Sequence, residues 1–143
     1  MSGSTSPGTE SVIHVDSSVL LDMLQRDPVW EARSTAAFRL AGMRDDIAIS
    51  DIVYAEVAPG FEEPADLDRA LAALGLKTRT PPKQALFLAG HAFKRYRRQR
   101  GTKTGVLPDF FIGAHAAVEG ASLLTRDPGR VRAYFPTVSL IAP

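Results

Sequence analysis

The sequence predicts an α/β fold, a three-layer α/β/α sandwich with a mostly parallel central sheet, and three observations carry that prediction. Short β-rich runs at Val12–Val15, Asp46–Ser50, 121–125 and 137–141 alternate with one or two helical stretches, the order in which crossover helices join parallel strands. The 121–125 run reads as a buried strand, as parallel strands covered on both faces do. Acids follow two of the runs, Asp16 and Asp127, where open α/β sheets place ligand-binding groups.

Composition bounds the chain before any motif does. At 143 residues and 45% hydrophobic it suits one domain with its own core, expected over 12–143. Residues 1–11 are rich in Ser, Gly and Thr and lack a basic n-region and an apolar h-region, so they read as a flexible tail and not as a signal peptide. The absence of cysteine excludes a disulfide scaffold, a thiolate zinc site and a cysteine nucleophile, and it suits a reducing compartment; a cytoplasmic location is the expectation. No apolar run approaches the ~18 residues of a membrane span. A net charge of +1 argues neither for nor against a polyanionic partner.

Taken in order, Val12–Val15 feeds through Asp16 into a helix whose apolar residues Val19, Leu20, Met23 and Leu24 recur at helical spacing. Ser17 and Ser18 can each cap that helix, which would leave the Asp16 carboxylate available. Asp27-Pro28 opens a second helix with Trp30, Ala36, Ala37, Phe38 and Leu40 as core candidates and Gly42 near its end. Asp46–Ser50 is the next strand, and a Ser50-Asp51 cap starts a helix in which Glu56 is the only formal charge after Asp51. Such an acid is costly to bury unless it is paired or metal-bound; the alternative is an exposed stripe. Pro59-Gly60 ends that helix.

An amphipathic helix follows over 64–74, with Leu67, Ala70, Leu71 and Leu74 on its apolar face, and 77–80 forms a minor edge strand. Pro81-Pro82 starts a longer helix through Ala85, Leu86, Leu88, Ala89, Ala92 and Phe93, which runs into a basic segment before Gly101. Lys94, Arg95, Arg97, Arg98, Arg100 and Lys103 crowd that segment. They read either as cations at a helix C-terminus or as phosphate contacts with Tyr96 available for stacking, and Arg95, Arg97, Arg98, Arg100 and Lys103 are the candidate RNA-binding residues. A mobile loop over 101–105 leads to Leu107-Pro108-Asp109-Phe110-Phe111-Ile112, where a proline suited to a first helical turn precedes an acid at the positive end of an otherwise apolar helix. Gly120 closes that helix, and a short helix over 130–134 precedes the last strand.

Asp16, Glu56, Asp109 and Asp127 can therefore converge on the edge formed by the carboxyl ends of the strands. Carboxylates that close repel one another unless a cation holds them, and hard oxygen donors without cysteine point to Mg²⁺ or Mn²⁺. Such a site suits hydrolysis of a phosphodiester by water, with no protein nucleophile.

These residues also carry a resemblance. Val15-Asp16-Ser17-Ser18-Val19-Leu20, Tyr54-Ala55-Glu56-Val57, the Asp109 segment through Ala116, and Leu124-Thr125-Arg126-Asp127 resemble the acidic motifs of PIN-domain ribonucleases, in particular VapC-type toxins of toxin–antitoxin pairs. The resemblance implies a Mg²⁺- or Mn²⁺-dependent endoribonuclease with Asp16, Glu56, Asp109 and Asp127 as catalytic and metal-binding residues, Thr125 as a hydroxyl beside the last acid, a dimeric state, and a VapB-type antitoxin that occupies the cleft. Asp127 precedes Pro128, which biases it away from helical geometry.

Two other classes compete. An aspartyl-phosphate enzyme also places Asp after its first strand, but the haloacid-dehalogenase pattern needs a second acid two residues on, where this chain has Ser18. A non-catalytic module would bind RNA or a protein through the same surface without cutting. Among the histidines, His115 reads as a core or cleft-lining residue, and His14 and His91 have no Ser or Asp partner at a usable spacing.

Overall fold

Five parallel strands form the sheet, in the order β3-β2-β1-β4-β5: β1 (Val12–Val15), β2 (Asp46–Ser50), β3 (Lys77–Arg79), β4 (Ser122–Leu124) and β5 (Ser139–Ile141). The structure is a computed structural model that describes residues 11–99, 101, 102 and 105–143. Residues 1–10 of the expected 1–11 tail, Arg100 and Lys103 lie outside the described residues.

The central strand β1 is buried on both faces, with Ile13 and Val15 directed to one side and His14 to the other. Its register, His14 beside Ala48 on β2 and beside Leu123 on β4, aligns the carboxyl ends of β1, β2 and β4 on one edge. Helices α1 (Ser17–Leu24), α3 (Asp51–Val57) and α7 (Pro128–Tyr134) leave from that edge. Helix α6 (Leu107–Glu119) also begins there and runs back over the sheet to β4, packed along α5 (Lys83–Arg98). The α/β/α architecture follows, all-parallel instead of mostly so.

Local chemistry fixes the ends of these elements. The Ser50 hydroxyl accepts from the Ile52 N–H and caps α3, and Gly120, at φ 63°, supplies the left-handed turn that ends α6. Gly113, in the middle of α6, is needed for packing: a Cβ there would lie 2.6 Å from the buried Phe135 ring.

Three expected core positions, Ala36, Leu40 and Leu86, are exposed and are corrected. Helix α2 (Glu31–Arg44) starts later than Pro28, because the Asp27 carboxylate folds the preceding chain into a turn by accepting from the Val29 and Trp30 N–H groups. The buried stripe of α2 is then Ser34, Phe38 and Ala41, and Leu40 is 62% exposed. On α5 the buried stripe is Ala85, Ala89 and Ala92, small residues that admit α6 closely, and Leu86 faces outward. The amphipathic helix α4 (Pro64–Ala73) buries Leu67 and Leu71 as expected. Among the described residues no helix is long and apolar enough to cross a membrane.

Candidate active site

The site begins where β1 and β4 end side by side. The Asp16 N–H donates to the Leu124 carbonyl at 2.9 Å and extends the ladder by one residue, which brings Thr125 beside Asp16. The buried Thr125 hydroxyl donates to Asp16 Oδ2 at 2.7 Å and accepts from the Asp127 N–H at 3.1 Å, so one hydroxyl positions both acids. The Ser18 hydroxyl donates to Asp16 Oδ2 at 3.1 Å and accepts from the Arg126 N–H at 3.2 Å, a second clasp between the β1–α1 and β4–α7 turns. Asp16 itself caps α1, with Oδ1 accepting from the Ser17 N–H at 2.8 Å. This corrects the expectation that the serines would cap in its place: Asp16 occupies the extended backbone position from which a side chain reaches the first turn, and the serines orient it instead.

Asp109 stands in the first turn of α6, and Asp127, at φ −121° and ψ 73°, holds the non-helical geometry expected before proline. Asp16, Asp109 and Asp127 line one narrow pocket of about 30 Å³, whose other lining residues are Ile112, Leu123, Val131 and Arg130. Arg130 pairs with Asp109 Oδ2.

Glu56 is not a lining residue of that pocket, but it is close enough to feel it. Burial, and then repulsion by Asp16 and Asp109, push its carboxyl above the usual range, against a hydrogen bond with Ser17. Burial likewise pushes Asp109 up, reinforced by Asp16 and Asp127 and opposed by Arg130. The four predicted acids therefore form one electrostatic unit. Two features fit a hard divalent cation: a donor set made only of carboxylate oxygens, and a buried Glu56 Oε1 that has no hydrogen-bond partner.

Arg95, Arg97 and Arg98 of the basic segment are not among the residues that line this pocket. Arg95, Arg97 and Arg98 occupy the last turn of α5, with Arg95 over the Tyr134 ring and Arg97 over the Phe93 ring, an arrangement that suits cations at a helix C-terminus. Tyr96 is corrected as a free stacking platform, because it is half-buried in a cluster with Phe93, Phe110 and Tyr134.

Sequence reasoning missed three groups. Arg130 is the first. The second is a buried ion pair behind the site, in which Asp22 accepts from the Ser34 hydroxyl at 2.7 Å and pairs with Arg126 at 3.2 Å. The third joins His14 to His115: Nε2 of His14 bonds Glu119 Oε1 at 2.7 Å, Nε2 of His115 bonds Glu119 Oε2 at 3.0 Å, and Arg79 closes on the same carboxylate at 3.1 Å. These ligand-type atoms lie within 4.8 Å of one another, but both Glu119 oxygens are already taken, which makes the cluster a polar bolt between β1, β3 and α6. Burial lowers the His14 pKa. Glu119 falls below its usual range because the His14 hydrogen bond and the charges of His115, His14 and Arg79 together outweigh burial. The available signals were the His115–Glu119 spacing, which shares a helix face, and His14 two residues before Asp16 on one strand face.

The sequence profile of the PIN domain matches residues 13–136, which takes in all four acids. The chain belongs to the PIN domain family. Solved structures agree with this PIN domain in fold. VapBC2 from Rickettsia felis, bound to a DNA fragment from their promoter, matches with 18% identity and a TM-score of 0.70 over 92% of this chain and 98% of that one. VapBC-1 from nontypeable Haemophilus influenzae matches with 17% identity and a TM-score of 0.68 over 92% and 97%. FitAcB from Neisseria gonorrhoeae matches with 20% identity and a TM-score of 0.61 over 90% and 96%. Among curated proteins no match is found.

Proposed function

We propose that this PIN domain is a Mg²⁺- or Mn²⁺-dependent endoribonuclease and the toxin of a toxin–antitoxin pair, acting in the cytoplasm. The observation that carries the reading is the convergence of Asp16, Asp109 and Asp127 on one pocket, with Glu56 coupled to it by charge. Mutual repulsion of this kind disfavours the fold and is retained where a cation uses it. Asp16, Asp109 and Asp127 would hold the cation, with Glu56 at the side. Bound there, a divalent ion supplies activation of water and charge stabilisation at the leaving oxygen of a phosphodiester.

The chain's own groups do the rest. Thr125, Ser17 and Ser18 fix the Asp16 oxygens. Glu56, held above the ordinary carboxylate range and with Oε1 unpartnered, would serve as the group that takes the proton of the attacking water. Ile112, Leu123 and Val131 supply the apolar part of the pocket wall, a low-dielectric surface beside which charge interactions are stronger than in water.

The similar structures named above are complexes, and this supports an antitoxin of the VapB type as partner. A homodimer is supported by the exposed apolar patch of Leu86, Phe87 and Val118, with Phe87 71% exposed, which a second copy would cover. The test is cleavage of a mixed RNA pool by purified protein with Mn²⁺ or Mg²⁺ and with EDTA, beside Asp109→Asn. Cleavage that requires both the metal and Asp109 is expected. Absence of cleavage alongside salt-sensitive RNA binding would favour a non-catalytic module.

A further inference from the structure

We propose that Arg130 is a two-position phosphate-binding residue: it pairs with Asp109 in the free protein, in competition with a divalent cation, and is released onto a phosphodiester of the RNA once the cation takes that carboxylate. This rests on the nuclease reading and adds to it the group that admits an anionic substrate into an acidic pocket.

The first support is charge. The narrow pocket is lined by three carboxylates and one cation, Arg130. A phosphodiester entering beside Asp16, Asp109 and Asp127 meets repulsion that the Arg130 guanidinium is positioned to offset. The second support is the incompleteness of the pair. Among the described residues Arg130 meets the carboxylate through one nitrogen and one oxygen, Nη1 on Oδ2, and not through the two-pronged contact that a guanidinium can make. The third is mobility of function. The hydrogen bond Arg130 makes among the described residues runs from Nη1 to Asp109, which leaves most of its five donors for another acceptor.

Geometry indicates where that acceptor enters. A groove of about 570 Å³ adjoins the pocket, lined by Asp109, Arg126, Asp127 and Arg130 and by the chain at Pro128 and Gly129. Its two cations differ. Arg126 is tied to the buried Asp22 outside the pocket lining, whereas the partner of Arg130 is Asp109, a half-exposed carboxylate of the pocket itself that a cation can reach. A purely structural pair joining α7 to α6 makes a different prediction, because its loss would weaken the fold without strengthening cation binding.

The test uses tag-free protein. Mn²⁺ affinity is measured by calorimetry without RNA, and the affinity of a short fluorescein-labelled RNA is measured by anisotropy across a salt series with Ca²⁺ present. Arg130→Gln is expected to bind Mn²⁺ about five-fold tighter, the size of an exposed ion pair, and to bind RNA more weakly with a salt slope reduced by about 0.7. Arg130→Lys, which keeps the charge but not the fork, is expected to bind Mn²⁺ as the parent does and RNA more weakly. It also serves if the glutamine variant fails to fold. Mn²⁺ binding by Arg130→Gln that is no tighter than the parent's, or by Arg130→Lys that is several-fold tighter, would overturn the proposal and leave the nuclease reading intact. Equal Mn²⁺ binding by the parent and Asp109→Asn would overturn both.

Discussion

Thr125→Val replaces a hydroxyl with a methyl of nearly the same shape at a position that is 1% exposed. The hydroxyl donates to the Asp16 carboxylate and accepts from the Asp127 N–H, so the change removes one hydrogen bond to an acidic side chain and leaves one backbone donor without its acceptor. A hydrogen bond to a charged group is worth about 1.5–3 kcal/mol, and the remaining Ser17 and Ser18 contacts soften the loss, so stability should fall by about 2 kcal/mol. For a chain of this length that lowers Tm by about 4–8 °C. Urea unfolding reads it as a lower midpoint with an unchanged slope, because the surface exposed on unfolding is the same. Mn²⁺ affinity should fall about 10–100-fold, since Asp16 and Asp127 both lose their orienting group. Thr125→Ser should retain most of both. A loss under about 0.5 kcal/mol with unaltered Mn²⁺ binding would refute the hydroxyl's role as the fixture of the two acids.

Three further outcomes follow from the same geometry. Glu56 and Asp109 have folded-state pKa values above their unfolded ones, so their contribution favours the fold at low pH and is lost as pH rises through the raised values; Glu56→Gln in EDTA should raise Tm by about 1–2 °C at pH 7–8, with the gain vanishing towards about pH 4, and a pH-independent change would contradict this. Gly113→Ala forces a Cβ into the Phe135 ring and should cost about 1–3 kcal/mol in urea unfolding, against a near-neutral change if the ring can move aside. Phe87→Glu should convert a dimer to a monomer in sedimentation and remove any dependence of Tm on protein concentration, since the ring is exposed on the single chain; an unchanged sedimentation coefficient would place any dimer contact elsewhere.

Much of this was legible in the sequence because local chemistry decided it. Ser50 as a cap, Pro108 and Asp109 in the first turn of α6 and Gly120 as its stop are choices made within one helical turn, and each stands where the residues indicate. What was not legible depends on neighbours far along the chain. Leu40 and Leu86 have apolar side chains at plausible helical positions, yet the buried faces went to Ser34 and to three alanines, because Ser34 meets Asp22 and the alanines allow α5 close to α6. His14 seemed isolated until α6, a hundred residues on, brought Glu119 to it. Arg130 belonged to an unremarkable basic pattern, and only the approach of α7 to α6 showed that it points into the acids. Asp16 and Asp127 were predicted from strand ends, and Glu56 and Asp109 from helices that start at the same edge, because that placement is a property of topology, which the alternation of elements already specified.

The chemistry of the cut ends of the RNA is the most direct measurement of the central claim. Attack by a metal-activated water leaves a phosphate on one fragment and an intact hydroxyl on the other without using the neighbouring 2′-hydroxyl, so fragments made with Mn²⁺ should lack 2′,3′-cyclic phosphate, and a 2′-deoxy substitution at the scissile nucleotide should still be cut. Cyclic phosphate ends, or cutting that persists in EDTA with Asp109→Asn, would contradict the assignment of the acidic pocket as a metal-dependent hydrolytic site.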